Sequence, residues 1–332
     1  MHRSVIPGSA ARAAGVVDRA RRAPWVVAST LVVLLGALLA GPGAAQGGGD
    51  WDAVELTVHP LRGGVSMITG RGGNIGLSVG ESGAFVVDDQ FAPLTARLLE
   101  TIGEHTEQPV RFVVNTHWHG DHVGGNENLG AAGAVIVAHE NVRKRMAAGQ
   151  FMEAFGNQVP PARPGALPVI TFTEAMTFHW NGQTVEVLHV DPAHTDGDAL
   201  VFWREADVLH MGDTFFHGMY PFIDAGSGGH LAGMLAAADR ALALCGEKTL
   251  IIPGHGEVAT PADLKAYRDM LATLGGRIAK LMAEGKSRDE VIAAKPTADH
   301  DGEWGGGFMQ PDVWVGIVFD GYVAQRGDDA AR

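Results

Sequence analysis

The chain has 332 residues, and its 25 Lys and Arg against 38 Asp and Glu give a formal charge of −13. That balance excludes nucleic acid as a partner, because such binding rests on a surplus of basic side chains, and leaves small molecules open. The single cysteine, Cys245, excludes an intrachain disulfide.

Residues 1–45 have the composition of a targeting segment. Arg12, Arg19, Arg21 and Arg22 precede an apolar run from Trp25 to Gly41, and small residues including Gly43 and Ala45 follow. That order is the pattern of a secretory signal, so cleavage after Ala45 and a periplasmic or secreted product are expected, with no stable membrane insertion afterwards. The alternative is an uncleaved anchor, since the run approaches the ~18 apolar residues of a membrane span. Residues 46–332 are then expected to form one domain, and nothing in them marks an oligomeric state.

In chain order, VELTVHPL, VSMITG, NIGLSV and GAFVVDD are four short strands divided by Gly and Ser, as in an antiparallel meander. Pro93 opens a helix with Leu94, Leu98 and Ile102 on one face. PVRFVVNT is an apolar strand running straight into a histidine cluster. A short helix at 126–130, a strand AVIVAHE and a helix at 141–149 follow. Residues 150–168, rich in Pro and Gly, form a surface loop. VITFTEAMTFHW, TVEVLHV, DALVFW and DVLHMGD are strands. The helix at 230–246 sets Leu231, Met234, Leu235, Ala238, Leu242 and Cys245 on one face, which makes the thiol a buried structural group. The strand TLIIPGHG precedes a long helix from Thr260 and Pro261 to about Gly285, and the tail VWVGIVFDGYVAQ is helical. Strands followed by mixed β and α, twice over, predict an α/β fold of two packed sheets flanked by helices.

The chemistry concentrates in THWHGDH, residues 116–122. His117 and His119 alternate across one residue, so an extended backbone points both the same way. Gly120 permits the turn that brings Asp121 and His122 to a neighbouring position. A zinc ion takes about four ligands, and a catalytic one keeps a place for water. Four donors split into two pairs therefore form two half-sites that need donors from elsewhere. His194, Asp213 and His255 each follow an apolar strand, where a rigid scaffold can hold them at one sheet edge.

This set resembles the metallo-β-lactamase fold superfamily of metal-dependent hydrolases: HxHxDH as His117, His119, Asp121 and His122, then His194, Asp213 and His255 in the family's order. The resemblance spans roughly residues 52–260 and implies a four-layer αββα sandwich. It also implies one metal on His117, His119 and His194, a second on Asp121, His122 and His255, and Asp213 bridging them. Two Zn2+ per chain are expected, with Fe or Mn as alternatives. A water shared by two such ions is acidified towards pH ~7, and Asp121 would be both ligand and proton handler. Asp88 or Asp89 resembles the family's early aspartate and would steady a ligand histidine, or else cap a turn. Trp118, His217, Tyr220 and His230 are candidate pocket residues, whereas His59 and the remaining histidines are left as structural or exposed.

Asp213 stands where one group of true β-lactamases carries a cysteine. The pattern is closer to glyoxalase II-type thioesterases, lactonases and periplasmic hydrolases. A hydrolase of an ester, thioester, lactone or amide-type bond is thus the leading expectation, with a β-lactamase, an iron-dependent oxidoreductase and a non-catalytic metal-binding module as rivals.

Overall fold

Two sheets carry the fold, which a computed structural model describes over residues 50–152 and 155–330. The expected targeting segment lies outside the described residues. In the first sheet, β1 (Thr57–Pro60), β2 (Val65–Thr69), β3 (Ile75–Ser78) and β4 (Ala84–Val87) form the antiparallel meander. β5 (Val110–Asn115) and β6 (Val135–His139) then add in parallel. Parallel neighbours need a long crossover. Here α1 (Thr95–Gly103) supplies the first, while α2 (Gly120–Val123) and α3 (Asn126–Ala131) supply the second. After α4 (Glu140–Ala148), β7 (Gln150–Met152) and β8 (Asn157–Val159) make a separate hairpin, and β9 (Ile170–Phe172) closes the sheet beside β6. The second sheet runs β10 (Ala175–Trp180), β11 (Gln183–His189), β12 (Ala199–Trp203), β13 (Val208–His210) and β14 (Leu250–Ile252), antiparallel except for its last pair. α5 (Leu231–Leu244), α6 (Pro261–Ala283), α7 (Arg288–Ala293), α8 (Asp301–Trp304) and α9 (Pro311–Ala330) complete the chain.

Side-chain alternation makes the layers. Phe85 and Val87 of β4 face the second sheet with Met67 and Val114, meeting Val185, Val201 and Trp203. Val86 points the other way, onto Leu98 and Ile102 of α1 and Leu129 of α3. In β12, Val201 and Trp203 face inward, while Leu200 and Phe202 join a cluster containing Met234 of α5 and Leu264 and Tyr267 of α6. Strands β4 and β12 are thus apolar on both faces, as a doubly covered sheet requires. Phe85 and Trp203 pin the two sheets edge to face, with ring centroids 6.3 Å apart. The result is the expected αββα order, with each large apolar side chain stabilising it by about 1.5–3 kcal/mol.

The details differ from the sequence reading in four places. VITFTEAMTFHW is two strands, β9 and β10, between which the chain passes from one sheet to the other. Pro93 lies in a 3-10 turn (Ala92–Leu94) that precedes α1. The stretch 150–168 contains the β7–β8 hairpin rather than loop alone. Cys245 caps α5 at its C-terminus in extended conformation instead of lying on its face; burial pushes its thiol up to about 11, so it is no nucleophile at neutral pH.

α6 starts as expected: Thr260 accepts from Asp263 N–H, and the Asp263 carboxylate accepts from Thr260 N–H. Thr260→Ala removes this reciprocal cap and is expected to cost about 1 kcal/mol, read as a lower urea midpoint at unchanged m-value. Among the described residues, no helix is long and apolar enough to cross a membrane.

Candidate metal centre

All seven predicted donors meet at one edge of the sandwich, where β5, β11, β13 and β14 end. His117 and His119 follow β5, and His119 is the extended N-cap of α2 (φ −66°, ψ 146°). The helical turn that follows presents Asp121 and His122. The redirection of the chain therefore comes from a helix start; Gly120 is not among the residues with positive φ. His194 comes from the loop after β11, Asp213 from a 3-10 turn (Gly212–Thr214) after β13, and His255 from the turn after β14.

The donor atoms fall into two groups: His117, His119, His194 and Asp213, and Asp121, His122 and His255, each with ligand atoms within 4.8 Å of one another. Asp213 touches both groups. Its Oδ2 is 3.6 Å from His194 Nε2, 3.8 Å from His117 Nε2 and 3.5 Å from His255 Nε2, and its Oδ1 is 3.1 Å from His122 Nε2. The groups differ in access. His117, His119 and His194 are buried, whereas the Asp121 side chain is 27% exposed and that of His255 20%. Anything that reaches the centre from solvent meets Asp121 and His255 first.

The outer ring nitrogens are held as metal-ligating histidines require. His119 Nε2 donates to Asp224 Oδ2 (3.0 Å), leaving Nδ1 for the centre. His194 Nδ1 donates to the Phe222 carbonyl (2.8 Å). His122 Nδ1 donates to Asp88 Oδ2 (2.7 Å), and His117 Nδ1 to Thr116 Oγ1 (3.0 Å). Of the two candidate aspartates, Asp88 therefore does the steadying, at a positive φ of 62°. Asp89 instead accepts from Gly125 N–H. Asp198, absent from the sequence reading, accepts from the N–H groups of His194 (2.7 Å) and Thr195 (2.9 Å) and fixes the turn that delivers His194. Its place four residues after His194 in DPAHTDGD was the available signal.

The centre fits a divalent metal on its own geometry. His117 Nε2 is buried and lacks a hydrogen-bond partner, and His122 Nε2 and Asp213 Oδ1, buried and 3.1 Å apart, are not aligned for a hydrogen bond with each other. Orphaned buried polar atoms are rare in native proteins, and a convergent set of them calls for an ion. Gly73 and Gly254 let the backbone press against the donors: a Cβ at Gly73 would overlap the His122 ring, and one at Gly254 the Asp213 carboxylate.

Electrostatics divides the two groups as well. Burial drives His117 well below the usual histidine range and His194 down to about 4, so both are neutral and ready to ligate. Burial opposes charge on His122 and His255 too. Even so, Asp213, Asp121 and Asp88 hold His122 well above the ordinary value, and Asp213 and Asp121 hold His255 up to about 9. In return, against burial, His122 and His255 draw Asp121 down to about 2. Without metal, protons on these two rings balance the carboxylates.

The candidate pocket residues fare differently. Tyr220 is buried, stacks on Trp314 with centroids 5.0 Å apart and donates to Asp301 Oδ1 (2.9 Å). His230 accepts from Gly233 N–H as the N-cap of α5. His217 hydrogen-bonds the Glu257 carbonyl through Nδ1 (2.8 Å). Trp118 packs beside His119 at 4.6 Å and donates to Ser227 Oγ (3.1 Å), so it buttresses a donor from within the core. An open cleft of about 420 Å3 instead lies beside His255, and His59, set aside from sequence, helps to line it.

An αββα sandwich with this donor set at its sheet edge defines a metal-centre protein. A family model for the metallo-β-lactamase superfamily matches residues 68–256, and the chain belongs to that superfamily. It is 26% identical over 173 residues to a protein of Nocardioides sp. named 2,4-dinitroanisole O-demethylase subunit alpha, covering 52% of this chain and 49% of the relative. It is 32% identical over 137 residues to a hydroxyacylglutathione hydrolase of a Synechococcus sp., covering 41% and 45%. The chain thus spans about half the length of these curated relatives. A metallo-β-lactamase structure from Pontibacter korlensis superposes with a TM-score of 0.55 at 22% identity, covering 66% of this chain and 99% of that one, which shows the shared fold.

Proposed function

We propose that the protein is a zinc-dependent, binuclear hydrolase that cleaves an ester, thioester, lactone or amide-type bond. The observation that carries this reading is the position of Asp213, within 4 Å of histidines of both donor groups. His117, His119 and His194 would hold one ion, Asp121, His122 and His255 the other, and Asp213 would serve both. When bound, such ions supply Lewis acidity and bring the pKa of a coordinated water towards ~7. Asp121, a carboxylate at the open side with its side chain 27% exposed, would orient a water arriving there and stand ready to take a proton from it. The buried histidines stay rigid because Asp224, Phe222, Thr116 and Asp88 hold their outer nitrogens. The hydroxyacylglutathione hydrolase among the relatives supports a thioester as the first class to test. The basic, apolar and small-residue order of residues 1–45 supports export to the periplasm or beyond.

The test is metal content by elemental analysis, combined with turnover of a panel of ester, thioester, lactone and lactam substrates. About two zinc per chain with hydrolysis of the first three is expected. Rapid turnover of a chromogenic cephalosporin would make the protein a β-lactamase, iron in place of zinc would shift it to redox chemistry, and full loading with no turnover would leave a binding module.

Zinc affinity is expected to rise with pH. Near neutrality His255 carries a proton that the ion must displace, so log affinity climbs about one unit per pH unit for each proton released, up to about pH 9. Calorimetric titration in two buffers of different ionisation enthalpy counts the protons. A count of zero would contradict the assignment of His255.

A further inference from the structure

The cleft beside His255 carries information about the substrate. It is lined by His59, Arg71 and Asn74 on the side of the first hairpin and by Met219, Glu257 and Phe308 opposite. Its volume, about 420 Å3, lies within the range of roughly 300–1,000 Å3 typical of small-molecule sites. Since His255 is one of the two donors open to solvent, a ligand in the cleft reaches the centre directly.

Arg71 is the unusual member. In an acidic chain an arginine readily finds an acceptor, and among the arginines whose side chains are described only Arg71 and Arg111 have neither an ion pair nor a hydrogen bond. Arg111 lies on β5, away from the cleft. Arg71 is exposed, with its guanidinium carbon 4.6 Å from the centroid of the Trp51 ring. Trp51 in turn packs on Phe91 at 5.2 Å. The aromatic face steadies the planar cation without satisfying its five donors, which match a carboxylate in a two-pronged fashion. Across the cleft, Phe308 is 53% exposed and lies 6.0 Å from His255 and 6.1 Å from Phe216. With Met219 it offers an apolar wall. Glu257 lies beyond ion-pair distance of Arg71 and repels an anion from its own side, so it orients a ligand with its charge towards Arg71.

We infer that this cleft is the substrate-anchoring subsite, and that it takes a small carboxylate whose head group pairs with Arg71 and whose apolar chain lies along Phe308 and Met219. The word substrate rests on the hydrolase reading; the binding of an apolar carboxylate does not.

Octanoate, with octanamide as its uncharged counterpart, tests the two separately by calorimetric titration of zinc-free and zinc-loaded protein. Octanoate is expected to bind more tightly than octanamide to both forms. Arg71→Ala should weaken octanoate at least tenfold, about 1.4 kcal/mol, and bring the pair near parity. Arg71→Lys should keep part of the preference, and Arg111→Ala should leave it unchanged. Phe308→Ala should weaken both ligands alike. On the hydrolysis side, Arg71→Ala should raise KM for a carboxylate-bearing nitrophenyl ester at least tenfold with kcat within twofold. Equal binding of octanoate and octanamide to the unmodified protein, or no effect of Arg71→Ala, would overturn the subsite. Arg71-dependent binding without turnover of any substrate would keep the subsite and remove the hydrolase reading.

Discussion

Asp121→Ala is expected to lower hydrolysis by at least about 10³-fold while leaving the protein folded. A positioned acid or base contributes about 10²–10⁴-fold, and Asp121 is also a donor of the more open group, so both losses act together. Its Oδ2 lies 3.4 Å from His255 Nε2 and 3.6 Å from His122 Nε2. The fold survives because the backbone of Asp121 does the structural work: its carbonyl accepts Gly73 N–H (3.1 Å), and that bond needs no side chain. Removing the carboxylate gives up its attraction to His122 and His255, offset in part by relief of the repulsion against Asp213. Circular dichroism and a thermal melt check the fold, elemental analysis the metal, and initial rates the activity. A folded variant that keeps a tenth of the activity would take Asp121 out of the mechanism.

Asp88→Ala is expected to cost about 3–5 kcal/mol of stability and 10–100-fold in zinc affinity. Asp88 is fully buried. Its Oδ1 accepts Thr116 N–H and its Oδ2 accepts both Thr116 Oγ1–H and His122 Nδ1–H, each at 2.7 Å. Because Thr116 Oγ1 also accepts from His117 Nδ1–H, one carboxylate orients a histidine in each half of the centre. Alanine would strand those donors where no water reaches, including a ring that its surroundings hold charged without metal. Asp88→Asn should cost less, since asparagine tolerates positive φ and keeps an acceptor, but it cannot neutralise His122. Asp89→Ala, which loses chiefly the bond to Gly125 N–H, should cost about 1–3 kcal/mol and leave zinc affinity unchanged. Urea unfolding with linear extrapolation and competition with a zinc-binding dye measure the two quantities. Equal effects at positions 88 and 89 would refute the assignment.

The convergence of the seven candidate donors was legible in the amino-acid order because they are local or strand-terminal. HxHxDH packs four of them into one turn of chain, and His194, Asp213 and His255 stand just beyond apolar runs whose period marks them as strands. The αββα layering was legible for a related reason: runs such as ALVFW are apolar on both faces and need a cover on each. What stayed hidden depends on where distant segments meet. Asp88 and Asp89 are indistinguishable in GAFVVDD, and a φ of 62° at the first turns its carboxylate onto Thr116 and His122. Tyr220 and Trp118 looked like pocket residues until partners 81 and 109 positions away, Asp301 and Ser227, claimed them. The cleft that pairs Arg71 with Phe308 exists only once the first hairpin and the segment before α9 lie side by side. Sequence by itself therefore determined which histidines and aspartates gather at the sheet edge and the layer order, because spacing and periodicity are properties of short segments. Only the tertiary structure decided which aspartate holds the histidines, which donors face solvent and what lies beside them, because those are contacts between segments that hydrophobic burial brings together from far along the chain.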